Sequence, residues 1–312
     1  MAEQECRYVL VTPVRDEVVT IGRTIAAVTR QTVQPREWVI VSDGSTDGTN
    51  EVVEQAIRKH RWMHLLALPE RPSRDFSAVV VNTEAGVRAL TCDEYDYIGL
   101  LDGDVEFQAD YFETLIARFE ANPRLGLAGG VVVDPGKPKS QLPRNRMDVP
   151  GAVQFFRRSC FDGLGGLLPI PEGGWDVITC AVARMNGSET ELVTELIVDH
   201  LKPRNITQGG PVGRMWQLGV RDYAVGYSGL FELAKCLGRI SETPLFVASL
   251  ARWCGFCAAA IRRRPRVVPP HVVEFVRKEQ RGRVWAALRS LGRENRTRRG
   301  EGAPTERPRE DG

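Results

Sequence analysis

Short, uninterrupted apolar runs that alternate with helically spaced segments constrain this chain more than any other feature. Tyr8–Thr12, Glu37–Val41, Trp62–Leu68, Tyr95–Leu101 and Leu127–Val133 are five such runs. Between the first two, Glu17–Gln31 carries Val18, Ile21, Ile25 and Val28 at helical spacing. Asn50–Lys59, Ser77–Leu90 and Tyr111–Asn122 read as further helices. A strand that is apolar on both faces must be covered on both, so this βαβα order predicts a parallel sheet with helices on either side. Sheets of that kind bind ligands outside the carboxyl ends of their strands. Three polar clusters, Thr12–Glu17, Ser42–Thr49 and Asp102–Asp104, fall at those ends and are expected to share one rim.

The second half reads differently. Residues 135–150 are rich in Pro, Lys and Arg, and residues 163–174 in Gly and Pro, so both are expected to be loops. Asp176–Asn186 looks helical, and Glu191–Val198 is a strand or short helix. Beyond about residue 210 the pattern turns to helices over Met215–Ala224, Gly229–Arg239, 244–261 and Val272–Leu291. The tail from Gly292 offers nothing to pack and is expected to be disordered.

Charge is divided along the chain. From Arg262 to Gly312 there are 15 basic and 7 acidic residues, a net of +8, whereas residues 1–261 carry a net of −6. A positive excess confined to one end excludes a nucleic-acid-binding core and suits an anionic partner, such as a membrane surface, at the C-terminal segment. The apolar stretch Pro244–Ile261 has 18 residues, against the ~20 needed to cross hydrocarbon. Arg252 at its centre would cost about 2.5–3.5 kcal/mol in a bilayer, so an interfacial or core-packed helix is expected. Trp253, Phe256 and the following Arg262-Arg-Arg-Pro-Arg266 fit the interfacial form, in which each basic residue contributes about 1 kcal/mol on anionic lipid. Met1–Arg7 is polar, and the seven cysteines are odd in number and scattered. Free thiols in a reducing, cytoplasmic setting are therefore expected, peripheral on the inner face of the membrane.

The chemistry gathers on a few residues. Asp102-Gly-Asp104 places two carboxylates around one glycine at a strand end, a donor pair suited to Mg²⁺ or Mn²⁺ holding a substrate phosphate. A solvated turn is the alternative for such a string alone. Ser42-Asp-Gly-Ser45 follows an apolar strand, where Asp43 can accept hydrogen bonds from a base or ribose while the same loop caps the next helix. Cys254-x-x-Cys257 has redox or metal spacing, but without a second pair it reads as core packing. His60 and His64 read as surface packing, and Gly163-Leu-Gly-Gly166 as a flexible loop rather than a dinucleotide fingerprint.

Together Val11–Glu17, Val41–Asp47, Leu101–Asp104, Gly173–Asp176 before a helix ending at Arg184, and Asp199-His200 resemble family 2 glycosyltransferases of the GT-A fold over roughly residues 7–235. The resemblance implies an α/β fold, a Rossmann-like, mainly parallel mixed sheet with a helical C-terminal extension. It implies that Thr12, Pro13, Arg15 and Glu17 line the nucleotide pocket, that Asp43 contacts the base, and that Asp102 lies near the ribose or sugar. Asp104 and His200 would hold the divalent metal, and Asp176 would be the catalytic base. An inverting transfer needs one carboxylate to take the acceptor proton and one cation to neutralise the departing diphosphate, without the carboxylate pair of a hydrolase.

Three departures matter. Trp175-Asp176 stands where many members have Glu-Asp, which leaves Glu172 as a competitor for the base. No Gln-x-x-Arg-Trp follows His200, so addition of single sugars is expected. Arg74-Asp-Phe-Ser77 is not the family's usual lead-in to the helix bearing Asn82 and Gly86. The expected organisation is a glycosyltransferase domain at 1–240, a helical membrane-associating extension at 241–291 and a basic tail at 292–312. The expected partners are a nucleotide-diphospho-sugar, a lipid-linked or glycan acceptor of cell-surface polysaccharide synthesis, and an anionic membrane. Two alternatives remain open: a catalytically silent nucleotide-sugar-binding scaffold, which would not need a base, and a sugar nucleotidyltransferase, which would need a glycine-rich phosphate loop after the first strand.

Overall fold

The computed structural model describes residues 7–70, 75–138, 145–203, 210–239 and 246–300. In chain order the elements are β1 (Tyr8–Val14), α1 (Ile21–Thr29), β2 (Glu37–Asp43), α2 (Thr49–Ile57), β3 (Met63–Leu68), α3 (Ser77–Ala89), β4 (Tyr97–Leu101) and β5 (Val105–Phe107). They continue with α4 (Tyr111–Ala121), β6 (Leu125–Val133), β7 (Val153–Arg157), α5 (Arg158–Gly163), α6 (Trp175–Met185) and β8 (Glu189–His200). Four helices follow: α7 (Gly210–Ala224), α8 (Gly229–Leu237), α9 (Val247–Ile261) and α10 (Pro270–Gly300).

The strands form one sheet in the order β3-β2-β1-β4-β7-β6-β8-β5. Pairing is parallel from β3 through β4 and between β6 and β8, and antiparallel at β4–β7, β6–β7 and β5–β8. The expected mixed, mainly parallel sheet is therefore present. Strands β1, β2, β4 and β6 are buried on both faces because alternate residues enter different cores. Tyr8, Leu10, Trp38 and Ile40 join a cluster with α1, α2 and α4, while Val9, Val11, Val39 and Val41 join another with α3, α5 and α6.

Residues 151–162 carry no element in the sequence reading, yet they form β7 and α5, and β7 is the antiparallel strand that joins the two parallel parts of the sheet. The three-residue β5 is equally without a local signal. The tail also differs: α10 continues past Gly292 to Gly300, and residues 301–312 lie outside those described. Arg74 of the departing lead-in, residues 139–144 of the expected loop, and Pro244 and Leu245 of the apolar stretch also lie outside them.

The C-terminal helices pack on the sheet domain through α6. Ile178 and Ala181 share a cluster with Ala224 and Val225 at the end of α7, Val268, and Val272, Val273 and Val276 of α10. In α9, Arg252 is 4% exposed and is turned toward Asp222 and Glu232 rather than outward. Of the two forms expected for this stretch, its buried face takes the core-packed one. No described helix is long and apolar enough to cross a membrane. Cys254 and Cys257 are half-buried free thiols, in agreement with a packing role.

Candidate functional site

After β4 the chain turns sharply at Asp102-Gly-Asp104 to enter β5. Gly103 is required by space: a Cβ there would stand 2.5 Å from Cγ1 of Val14. Thr24 of α1 holds the turn from behind, its hydroxyl 2.9 Å from the carbonyls of both Gly103 and Val105 and accepting the Val105 N–H at 3.1 Å. Because β5 pairs with the end of β8, Val105 lies opposite His200, and the imidazole is delivered to the acidic turn. One ligand atom each of Asp102, Asp104 and His200 lies within 4.8 Å of the others.

The histidine is oriented for that cluster. Its Nδ1 lies 2.6 Å from the Lys202 carbonyl, which can only accept, so Nδ1 carries the hydrogen and Nε2 faces Asp104 at 3.4 Å. Two carboxylate oxygens and one imidazole nitrogen at this separation fit a divalent cation with bonds of about 2.0–2.6 Å. Asp102, expected at the ribose or sugar, belongs to the same cluster. Glu17 packs beside it, bonded to the Lys202 ammonium and the Thr20 hydroxyl. Burial raises the Glu17 carboxyl above its ordinary pKa, Asp104 adds to the rise, and the bonds to Lys202 and Thr20 oppose it.

The loops after β1 and β2 are stitched to one another. Asp16 adopts φ 52°, its N–H donates to Ser45 Oγ, and its carboxylate accepts the Thr46 N–H at 3.0 Å. Glu17 N–H donates to Thr49 Oγ1 at 2.7 Å and Val18 N–H to Asp47 at 3.0 Å. This brings Pro13, Arg15, Glu17 and the buried Asp43 to one stretch of rim. Arg15 Nη2 pairs with Glu70 at 3.1 Å, while its Nη1 is buried and meets no acceptor among the described residues, which leaves one donor unspent at the rim. Thr12 is placed otherwise. Its hydroxyl accepts the Trp38 indole N–H at 2.9 Å in the core, so only its backbone reaches the rim.

Asp176 is the second residue of α6, where the helix dipole favours a carboxylate. Its Oδ2 accepts the Gly151 N–H at 3.3 Å, and its carbonyl accepts from Gln154 Nε2 at 3.2 Å. The residue after Gly151, Ala152, offers its carbonyl to the Asp102 N–H at 3.0 Å. The segment 151–154 therefore ties the acidic turn to Asp176. Glu172, the competing base, is half-buried in the loop before the helix. Two cations near these acids are missed by the sequence reading. Lys202 follows the strand-end histidine by two residues, which is a local signal. Arg221 packs its stem over Gly174 and is held charged against its burial by Asp222, with Asp176 contributing, and no local spacing reveals that contact.

Comparison with solved structures shows the same fold. A mannosyltransferase from Pyrobaculum calidifontis, solved with GDP-Man and Mn²⁺, superposes with a TM-score of 0.55 at 18% identity, covering 90% of this chain and 80% of that one. TarS from S. aureus, solved with UDP-GlcNAc, gives 0.51 at 10% identity over 80% of this chain and 71% of that one. Among curated proteins, the poly-beta-1,6-N-acetyl-D-glucosamine synthase of Staphylococcus aureus is 24% identical over 236 residues, 73% of this chain. The chain spans about half (48%) of that relative's length. The model of the Glycosyl transferase family 2 matches residues 9–169, more than half of the chain, and includes all three rim clusters. The resemblance carried by those clusters is borne out, and the chain belongs to glycosyl transferase family 2.

Proposed function

We propose that this chain transfers a sugar, with inversion, from a nucleotide-diphospho-sugar to a hydroxyl of a lipid-linked or glycan acceptor in cell-surface polysaccharide synthesis. The observation that carries the reading is the pair of hydrogen bonds, Gly151 N–H to the Asp176 carboxylate and Asp102 N–H to the Ala152 carbonyl, that joins Asp176 to the Asp102–Asp104 turn. A transfer site needs a base and a charge-neutralising group held at a set separation, and a scaffold needs no such tie. Asp102, Asp104 and His200 would hold Mg²⁺ or Mn²⁺, which when bound supplies positive charge to the diphosphate. Arg15 Nη1 and the Lys202 ammonium add donors on the same side, and Asp43 takes the base or ribose. Asp176 accepts the proton of the attacking hydroxyl at its carboxylate.

In this reading residues 1–240 carry transfer and 241–291 attach the protein peripherally to the inner face of the cell membrane. Support for attachment comes from the start of α9, whose apolar surface is extended by exposed leucines of the neighbouring α8. Leu230, Leu233 and Leu237 recur at helical spacing as exposed residues, and Phe246, Val247 and Leu250 are exposed at the start of α9. The cationic run Arg262–Arg264 follows α9 and is complementary to anionic lipid. The decisive experiment screens UDP-GlcNAc, GDP-mannose and other nucleotide sugars for thermal stabilisation with and without Mn²⁺, then assays transfer to membrane-extracted glycolipid. Metal-dependent stabilisation with sugar transfer is the expected result. Absence of metal-dependent stabilisation by every nucleotide sugar would remove the reading.

A further inference from the structure

Between the C-terminal end of α7, the turn after α9 and the first turns of α10 lies a cavity of about 580 Å³ lined by Tyr223, Arg264, Arg266, Arg277, Arg281 and Glu274, among others. Four guanidinium groups thus face one exposed carboxylate. Arg266 and Arg277 each spend Nε on a backbone carbonyl, Arg266 on Tyr223 and Arg277 on Gly226, both at 2.9 Å. Arg266 also stacks over the Tyr223 ring, 4.1 Å from its centroid. Those contacts hold the two side chains in place and leave their Nη groups without acceptors among the described residues. No described carboxylate forms an ion pair with any of the four arginines. Burial, then Arg266 and Arg281, lower the Arg277 pKa, which records like charges held close together.

Crowding unpaired cations in a concave site opposes folding, and neither the sheet nor the transfer site requires it. The geometry points to a binding site for a phosphate-bearing ligand, a phosphomonoester or diphosphate, gripped by the Nη groups of Arg264, Arg266, Arg277 and Arg281. Arginine forks match phosphate oxygens in pairs. A lipid headgroup and a free phosphate ester in solution offer the same oxygens, and the test separates the two sources. The site lies outside the transfer machinery, and its binding titrations use neither donor nor metal.

The test titrates the full chain, in EDTA, with pyrophosphate by calorimetry, and with phosphatidylcholine vesicles with or without phosphatidic acid by flotation. Saturable binding of either probe is expected, with chloride at matched ionic strength unable to replace it. Pyrophosphate alone assigns a soluble ligand and phosphatidic acid alone a lipid one. The variant Arg281→Gln, outside the cationic run Arg262–Arg264 and without a side-chain bond among the described residues, should weaken binding by about tenfold and leave metal-dependent nucleotide-sugar stabilisation unchanged. Arg277→Gln should weaken it further. Failure of both probes to bind saturably, or binding that the variants leave intact, would overturn the assignment without touching the transfer reading.

Discussion

Replacing Arg252 by Met tests where α9 belongs. Arg252 Nε lies 3.0 Å from Asp222 Oδ2 and 3.0 Å from Glu232 Oε1, and both carboxylates are fully buried. Without the guanidinium, Glu232 keeps a 3.5 Å contact with Lys235 and the weak Cys236 Sγ–H donor at 3.7 Å, and its Oε2 already lacks a hydrogen bond. Asp222 retains Lys235 at 2.7 Å and Arg221 at 3.1 Å. Deleting one partner of a buried pair costs roughly 3–5 kcal/mol. Two cations remain and Met preserves much of the volume, so the loss belongs near the lower end, about 3 kcal/mol. At about 2–4 °C per kcal/mol for a large domain, Tm should fall on the order of 6–12 °C.

The pH dependence carries a sign as well. Burial and then Asp222 already raise the Glu232 carboxyl above its ordinary pKa, against Lys235 and Arg252. Removing Arg252 raises it further. An acid whose folded pKa is raised holds its proton more tightly when folded, so the resulting deficit is absent below the unfolded pKa and grows as pH rises through it. The gap in Tm between variant and parent should therefore shrink from about pH 8 to about pH 5. Circular dichroism on heating reads both effects. A fall of less than about 2 °C, or a gap that widens in acid, would refute the buried pairing and return Arg252 to the surface.

The site gives three further expectations. Asp104→Asn and His200→Ala should each abolish the Mn²⁺-dependent thermal shift given by nucleotide sugars while leaving the metal-free Tm close to that of the parent. Asp176→Asn should keep the donor-induced shift and lower transfer by about 10²–10⁴-fold; if Glu172→Gln produces that loss instead, the base has been misassigned. Gly103→Ala should destabilise by about 1–3 kcal/mol, read as a lower urea midpoint, because its Cβ would press on Val14.

The first four parallel strands and their helices were legible because each apolar run is long enough to need cover on both faces. β7 was not. Its Val153-Gln-Phe-Phe-Arg157 sequence is broken by polar residues, and it finds its place through pairing with β4 and β6, far away in the chain. Asp43, Asp102 and Asp104 were legible because strand ends in such a sheet converge, whereas Asp176 and His200 were reached only through the family resemblance. Thr12 shows the limit of that argument. A threonine at the end of a strand reads as a ligand-facing residue, but the buried Trp38 indole requires an acceptor and takes its hydroxyl. Arg252 fails for a related reason: an arginine inside an apolar stretch reads as a penalty until Asp222 and Glu232, distant in sequence, are seen beside it.

Three consecutive residues of α7 meet three different neighbours, as side chains about 100° apart on a helix must. Arg221 packs against Gly174 at the start of α6, Asp222 sits in the ion cluster with Arg252 and Lys235, and Tyr223 lies under Arg266 in the arginine cavity. The helix has little freedom to shift between them. A Cβ at Gly219 would stand 1.9 Å from the Arg252 carbonyl oxygen, and one at Gly255 would stand 2.2 Å from that of Trp216, so α7 and α9 meet backbone to backbone. Packing this close transmits displacement instead of absorbing it. Tyr223 and Arg221, two residues apart, thereby connect the arginine cavity with Gly174 at the start of α6. In the proposed transfer, an anion held among these arginines should therefore alter the transfer rate while leaving the donor-induced thermal shift unchanged, and an altered shift with an unaltered rate would refute the link.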